Sequence, residues 1–281
     1  MLAVIALGAG LLAPLSLLPV SLSILENVVV LVAALGATLL LTRVVNRKPV
    51  AAVGLGFHHT TFRDLGAGSL LGFLMMTGIF LIELAVGYVT PVGRGLTAGE
   101  AAWVTVGGLL WWGTGAMGEE MLFRGYPFQT LIQAVTFLPA TLLMAVVFAA
   151  AHMQNPGMTL LSVLNVALAG ILFSIAYMKT RSLWLPFGIH WAWNFSQTTL
   201  YGFPTSGIAR STRALVISES TGPPWITGGP FGPEGGVLAT VALLVCTWYV
   251  LKAGYLAAPE GIITLDSVED LLGPRNGKGA G

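Results

Sequence analysis

The chain consists mainly of long apolar segments separated by short polar stretches. A membrane-spanning helix needs about 20 mostly apolar residues, and eight segments approach that length, although charged residues interrupt the fourth. The eight predicted spans cover approximately 2–19, 22–41, 66–89, 101–131, 138–152, 160–178, 183–201 and 236–256. The pattern therefore predicts an all-α fold, a polytopic membrane bundle of about eight transmembrane helices.

Basic residues predict the orientation of these spans, because short loops rich in Lys and Arg mark the cytoplasmic side. Such residues lie between spans two and three, between spans six and seven, and at the end of span eight. They are Arg43, Arg47, Lys48, Arg63, Lys179, Arg181 and Lys252. With eight spans all three places fall on one side, so both termini are predicted to be cytoplasmic. We expect a multi-pass integral protein of the plasma (inner) membrane.

The remaining segments suggest one compact membrane unit. The loop over 202–235 is so rich in Gly and Pro that we expect no regular structure there. Gly68 and Gly72, four residues apart in span three, could form a helix-packing face. We predict a single transmembrane domain over 1–257 and a largely disordered cytoplasmic tail over 258–281.

Composition agrees with a membrane protein. Hydrophobic residues make up 55% of the chain and charged residues 9%, whereas soluble domains carry about 25% charged residues. An ordinary soluble enzyme is therefore excluded. The net charge of +1 argues against a nucleic-acid partner, since binding phosphates needs a basic surface. Cys246 is the one cysteine of the chain and cannot form an internal disulfide.

Span four contains ionisable residues at a depth where they must face protein or trapped water. Glu120 and Arg124 are four residues apart, with the acid on the N-terminal side, which predicts an intrahelical ion pair. Glu119 and Glu120 point about 100° apart on a helix, so we do not expect both to face one site. Glu119 is therefore predicted to point into a cavity.

Three further polar residues lie in other apolar segments. His152 ends span five, and His190 and Asn194 project from one face of span seven. Each motif alone could be structural: Glu119 and Glu120 as an ion cluster, His152 as a helix cap, and His190 with Asn194 as interhelical hydrogen bonds. Together with Glu119 they suit hydrolysis. A partly desolvated glutamate can act as general base on water, an imidazole can orient that water or protonate a leaving amine, and His and Asn donors can stabilise an oxyanion.

These motifs resemble a known family. Glu-Glu-x-x-x-Arg, Phe-x-x-x-His and His-x-x-x-Asn on successive membrane helices are similar to the CPBP intramembrane proteases, also called the Abi or CAAX-protease and bacteriocin-processing family, which include the type II CAAX prenyl endopeptidases. The matching residues are Glu119, Glu120, Arg124, Phe148, His152, His190 and Asn194. The resemblance covers roughly residues 101–200, which we take as the protease core.

The resemblance implies a role for each matching position. Glu119 would activate water, aided by His152, and His190 with Asn194 would form the oxyanion hole. Glu120 and Arg124 would support them, in agreement with their spacing. The family has been described both as metalloproteases and as metal-independent glutamate proteases. Two histidines and a glutamate could bind zinc, with Glu119, His152 and His190 as candidates, but no His-Glu-x-x-His motif is present.

The expected partner is a membrane-embedded or lipidated peptide or protein substrate within the lipid bilayer. Some family members remove three residues after a prenylated cysteine, and others act in bacteriocin maturation or immunity. Two alternatives to an intramembrane endopeptidase remain. A proton-coupled transporter would also need buried Glu and His, although we see no internal repeat. A catalytically inactive, partner-binding relative is the second.

Overall fold

The computed structural model describes residues 23–208, 213–262 and 264–265. The predicted first span over 2–19 and residues 266–281 of the predicted tail lie outside this part of the chain. The described helices are α1 Ser23–Leu40, α2 Thr61–Ala85, α3 Ala98–Arg124, α4 Tyr126–Val135, α5 Phe137–Ala151, α6 Leu160–Thr180, α7 Trp184–Asn194, α8 Pro224–Thr227 and α9 Val237–Lys252. The protein is mostly helical, as predicted.

Several of these helices have the composition of membrane helices. Within the described residues, Asn27–Val45, Thr61–Ala85 and Leu160–Thr180 are both long and apolar enough to cross a bilayer. Helices α5 and α9 are apolar but shorter, with 15 and 16 residues. Together with the exposed apolar side chains on their outer faces, these helices identify an integral membrane protein.

The predicted fourth span is not one helix, which corrects the sequence prediction. The chain breaks at Gly125 between α3 and α4. A Cβ at Gly125 would lie 2.3 Å from the carbonyl oxygen of Met121, so only glycine fits this turn. Pro127 follows within the first turn of α4, a position where its missing N–H costs no helical hydrogen bond.

A small β-ribbon is the second correction, because the Gly/Pro-rich loop over 202–235 was expected to contain no regular structure. Strand β1 (Val89–Gly93) pairs antiparallel with β2 (Val216–Ser220), with Val89 opposite Ser220. The rest of the loop contains α8 and two 3₁₀ turns, Gly229–Phe231 and Pro233–Gly235. Its glycines permit these turns, since Gly232 has a φ of 98° that other residues rarely adopt.

Helix α2 packs closely against α7 through glycine. A Cβ on Gly68 would lie 2.4 Å from the carbonyl oxygen of Leu185, and one on Gly72 would lie 2.2 Å from that of Ile189. The predicted packing face at Gly68 and Gly72 is thus confirmed. Because Ile189 precedes His190, this contact fixes the part of α7 that carries the candidate site.

The core lies where α5, α6, α7 and α9 meet. Buried apolar side chains from these four helices form one cluster, including Phe148, Phe173, Ile189 and Leu243. Helix α7 continues after Asn194 as a π-helical segment, Phe195–Leu200. Such segments occur frequently at functional sites, and this one begins directly after a candidate catalytic residue.

Candidate active site

The two adjacent glutamates of α3 have different surroundings. The Glu120 side chain is fully buried, whereas that of Glu119 is 35% exposed. Nη1 of Arg124 lies 3.4 Å from Oε1 of Glu120. The predicted intrahelical ion pair is therefore present, and it lies within the protein interior.

Both glutamates contact the same imidazole, one from each side of the ring. Nδ1 of His190 lies 2.9 Å from Oε1 of Glu120, and Nε2 lies 3.9 Å from Oε2 of Glu119. The two side chains diverge from the helix, but the ring of His190 lies between them and presents one nitrogen to each. The imidazole on the facing helix α7 therefore contacts two side chains that point about 100° apart on α3.

Aromatic rings enclose the buried cation Arg124. Its guanidinium carbon lies 4.5 Å from the ring centroid of Phe148 and 5.1 Å from that of Phe173, within the range of cation–π attraction. Nη2 also donates to the carbonyl oxygen of Gly170 at 3.1 Å. Phe173 in turn stacks on His190, with centroids 5.0 Å apart and an interplanar angle of 16°. These contacts link Arg124 to the site through side chains of α5 and α6.

His152 directly follows the C-terminus of α5. Its Nδ1 lies 2.8 Å from the carbonyl oxygen of Phe148. Because a carbonyl can only accept, Nδ1 carries the hydrogen, and Nε2 is left to interact with groups in the cavity. The ring centroids of His152 and Phe148 are 4.8 Å apart. Phe148 therefore holds the imidazole both through its backbone carbonyl and through its ring.

One cavity brings the four predicted catalytic residues together. It has a volume of about 390 Å³, and Glu119, His152, His190 and Asn194 all line it. Glu120 and Arg124 are not among its lining residues and contact the site only through His190 and the aromatic rings. The predicted meeting of side chains from three separate helices is therefore observed.

Other residues line the same cavity. The apolar part of the wall includes Val30, Met75, Phe173, Ile189 and Leu243. The additional polar lining residues include Asn155, Asn165, Thr205, Ser206 and Glu234. The cavity thus offers both an apolar surface and a set of hydrogen-bonding groups.

Glu234 is a lining residue that the sequence analysis missed. It lies in the 3₁₀ turn Pro233–Gly235 and is partly buried. The backbone N–H of Ser206 donates to its Oε1, and the Trp193 side chain also donates to the carboxyl. Burial raises the pKa of Glu234 above its ordinary value, while these hydrogen bonds and the charge of His152 act in the opposite direction. The only sequence signal was an acid near the end of the Gly/Pro-rich loop over 202–235.

The candidate zinc ligands do not assemble into a metal site. In the part of the chain that the structure describes, no three His, Cys, Asp or Glu side chains lie together as a possible ligand set. Glu119 and His190 are close, but His152 does not join them in such a group.

The comparisons with known proteins concern the central part of the chain. Residues 101–196 match the family described as Rce1-like, type II CAAX prenyl endopeptidase Rce1-like. No match was found among curated proteins or among solved structures. The matched segment extends from α3 into the π-helical segment after α7 and contains all four predicted catalytic residues. The resemblance drawn from the three motifs is therefore confirmed: the segment that carries the candidate site matches the Rce1-like family of type II CAAX prenyl endopeptidases.

Proposed function

We propose that this protein is an intramembrane endopeptidase in which Glu119 activates a water molecule for attack on a peptide bond. The observation that carries the proposal is the lining of one cavity by Glu119, His152, His190 and Asn194. The match of residues 101–196 to a family of endopeptidases supports the same reaction class.

Glu119 has the properties of a general base. Its carboxylate is partly exposed, and the buried Oε2 accepts no hydrogen bond from any described residue. An oxygen in this position can accept a proton from water as that water attacks a carbonyl carbon. His152, with Nδ1 donating to Phe148, can accept a second hydrogen bond from the same water through Nε2.

His190 and Asn194 are suited to stabilising the oxyanion. They lie four residues apart on α7, so both project from one face of the helix and both line the cavity. Nδ1 of His190 donates its hydrogen to Glu120. Nε2 of the same ring can donate to the oxyanion only when both ring nitrogens are protonated. The carboxylates of Glu119 and Glu120 on either side of the ring stabilise that positive charge.

Glu120 and Arg124 support this arrangement from outside the cavity. Glu120 fixes the orientation of His190 through the 2.9 Å contact. Arg124 neutralises Glu120 and is itself held by Gly170 and the aromatic rings. A charged pair in the interior is tolerated because each member keeps several partners.

We further propose the membrane topology. The proposed arrangement has eight spans in a single transmembrane domain over 1–257 with a protease core over 101–200. In this proposal both termini and the 258–281 tail lie in the cytoplasm of a plasma-membrane protein. The basic residues Lys179 and Lys252 lie near the C-terminal ends of α6 and α9, whereas Glu234 lies just before α9 and His152 just after α5.

The proposed substrate is a lipidated or membrane-embedded peptide. The family description names prenyl endopeptidases that act on CAAX sequences, which makes a prenylated CAAX peptide the first choice. The apolar wall of the cavity, with Met75, Ile189 and Leu243, provides a surface for apolar side chains or a lipid chain.

The test uses purified protein in lipid nanodiscs with three substrates: a farnesylated CAAX peptide, the same peptide without the lipid, and a panel of transmembrane peptides. Wild type should cleave at least one of them, and Glu119→Gln should reduce the rate by about 10²–10⁴-fold, as expected for loss of a general base. Glu260→Gln, an exposed glutamate outside the cavity, is the matched control and should retain full activity. Retained cleavage in Glu119→Gln would contradict the proposal. Assays with and without chelator test a metal requirement separately.

A further inference from the structure

A second acid, Glu234, lines the cavity from outside the segment that matches the family. It lies on the loop before α9, and the side chains of Ser206 and Asn165 line the cavity beside it. Glu119 is carried by α3. Two carboxyl groups from distant parts of the chain therefore share one cavity of about 390 Å³.

The loop that carries Glu234 has a fixed shape. The buried Asn165 of α6 donates through Nδ2 to the carbonyl oxygens of Glu234, at 2.9 Å, and Gly236, at 2.8 Å. Its Oδ1 accepts from the hydroxyl of Thr240 at 2.7 Å. A Cβ on Gly232 would lie 2.1 Å from the carbonyl oxygen of Pro204. This loop is packed too closely to move without breaking these contacts, so the position of Glu234 is set by the fold.

The surroundings of the Glu234 carboxyl differ from those of Glu119. It is held by donors from Ser206 and Trp193, and His152 is the ionisable neighbour that interacts with it electrostatically. Glu119 and His190 are the other titratable groups that line the cavity. Burial raises the pKa of Glu234, which favours the neutral acid. Glu119 is more exposed, and its Oε2 accepts no hydrogen bond from described residues. Two carboxyls in unlike environments are the usual basis for separate acid and base roles.

We propose that Glu234 is the general acid of the reaction and protonates the leaving amine. The inference rests on the proposed function and adds the step that Glu119, His190 and Asn194 leave open. Expulsion of an amine from a tetrahedral intermediate requires a proton on nitrogen, because an amide anion is too basic to leave.

The proposed hydrolysis proceeds through a tetrahedral intermediate. Water forms a bond to the carbonyl carbon and gives one proton to Glu119. The C–N bond then breaks, the nitrogen keeps the electron pair, and it takes the proton of the Glu234 carboxyl. The products are a carboxylic acid and an amine, with Glu119 protonated and Glu234 ionised. Transfer of one proton from Glu119 to Glu234, through solvent or His152, restores the starting state, so one water is consumed for each bond broken.

The test compares leaving groups in the full-length protein in nanodiscs. The substrates are a cleavable peptide and a p-nitrophenyl ester with the same acyl portion, because nitrophenolate leaves without being protonated. Glu234→Gln should lower kcat for the peptide by about 10²–10⁴-fold, the usual contribution of general acid catalysis, and leave cleavage of the ester unchanged. Glu234→Asp, which keeps the acid, should recover part of the peptide activity.

The other outcomes separate this inference from the proposed function. An equal loss for both substrates in Glu234→Gln would indicate a structural role and overturn the inference, as would no loss for either. Glu119→Gln should lose both activities, and if it loses neither, the proposed function itself is wrong. Should Glu234→Gln fail to fold, the wild-type pH profiles decide. Deprotonation of His190 at alkaline pH lowers both rates, whereas ionisation of Glu234 lowers only peptide cleavage. Peptide cleavage should therefore decline more steeply with rising pH than ester cleavage corrected for the spontaneous reaction. Parallel profiles would overturn the inference.

Discussion

The imidazole of His190 is bound to the buried carboxylate of Glu120, with Nδ1 and Oε1 2.9 Å apart. Glu120 also pairs with Arg124 on its own helix. The candidate oxyanion donor is therefore oriented by a residue that does not line the cavity. The contact joins α3 to α7 at the point where the proposed chemistry takes place.

The Glu120–Arg124 pair is predicted to be essential for stability. Arg124→Met should lower the free energy of unfolding by about 3–5 kcal/mol, because it leaves a buried carboxylate without its cation. The double variant Glu120→Gln with Arg124→Met should recover part of that loss, since neither charge then remains. Denaturant unfolding in detergent micelles measures both. If the losses in the free energy of unfolding caused by the two substitutions simply added in the double variant, Glu120 and Arg124 would not be coupled.

Asn194 is predicted to act in the transition state. Asn194→Asp has nearly the same shape but replaces the N–H donors with an acceptor, so kcat should fall by about 10²–10³-fold, as for other oxyanion-hole donors. KM should change little. Asn155→Asp is the matched control, because Asn155 also lines the cavity but is not part of the proposed oxyanion hole. Equal effects of the two substitutions would remove Asn194 from this role.

His152 is predicted to assist the attacking water. His152→Gln removes the imidazole, and kcat should decrease by about 10²–10⁴-fold with a near-normal melting temperature. His59→Gln changes an exposed histidine in the loop before α2 and should have no effect. Steady-state kinetics with thermal unfolding would check both, and full activity in His152→Gln would exclude its participation.

The glycine contact between α2 and α7 gives a prediction about positioning. Gly72→Ala places a Cβ 2.2 Å from the carbonyl oxygen of Ile189, so the helices must separate, and both activity and thermal stability should fall. Gly78→Ala on the same helix meets nothing within 4 Å and should gain slightly in stability, because alanine has the higher helix propensity. Similar behaviour of the two variants would show that the close approach is not needed.

Local spacing predicted much of the site. The pairing of Glu120 with Arg124 and the shared face of His190 and Asn194 both follow from a separation of four residues, which the helix geometry fixes. The same periodic logic located the packing face at Gly68 and Gly72. It also holds for Glu119 and Glu120, of which only Glu119 lines the cavity. It could not predict that both contact His190, because the position of that imidazole depends on how α7 packs and not on α3 alone.

Features made by distant parts of the chain could not be predicted in this way. The β-ribbon pairs residues more than 120 positions apart, and neither strand has a pattern that identifies the other. Glu234 and Phe173 reach the site only because α6, α9 and the intervening loop pack against α7. No spacing within the sequence connects Glu234 with Glu119.

The bonds from Asn165 to Glu234 and Gly236 have a consequence for engineering. They attach a loop from beyond residue 196 to a helix inside the matched segment, so part of the cavity wall and one acid come from outside that segment. A chimera that receives only residues 101–196 from a second such protein would contain the motifs of one protein and the remaining cavity-lining residues of the other. Successful grafts should therefore carry the stretch from Thr205 to Thr240 along with them.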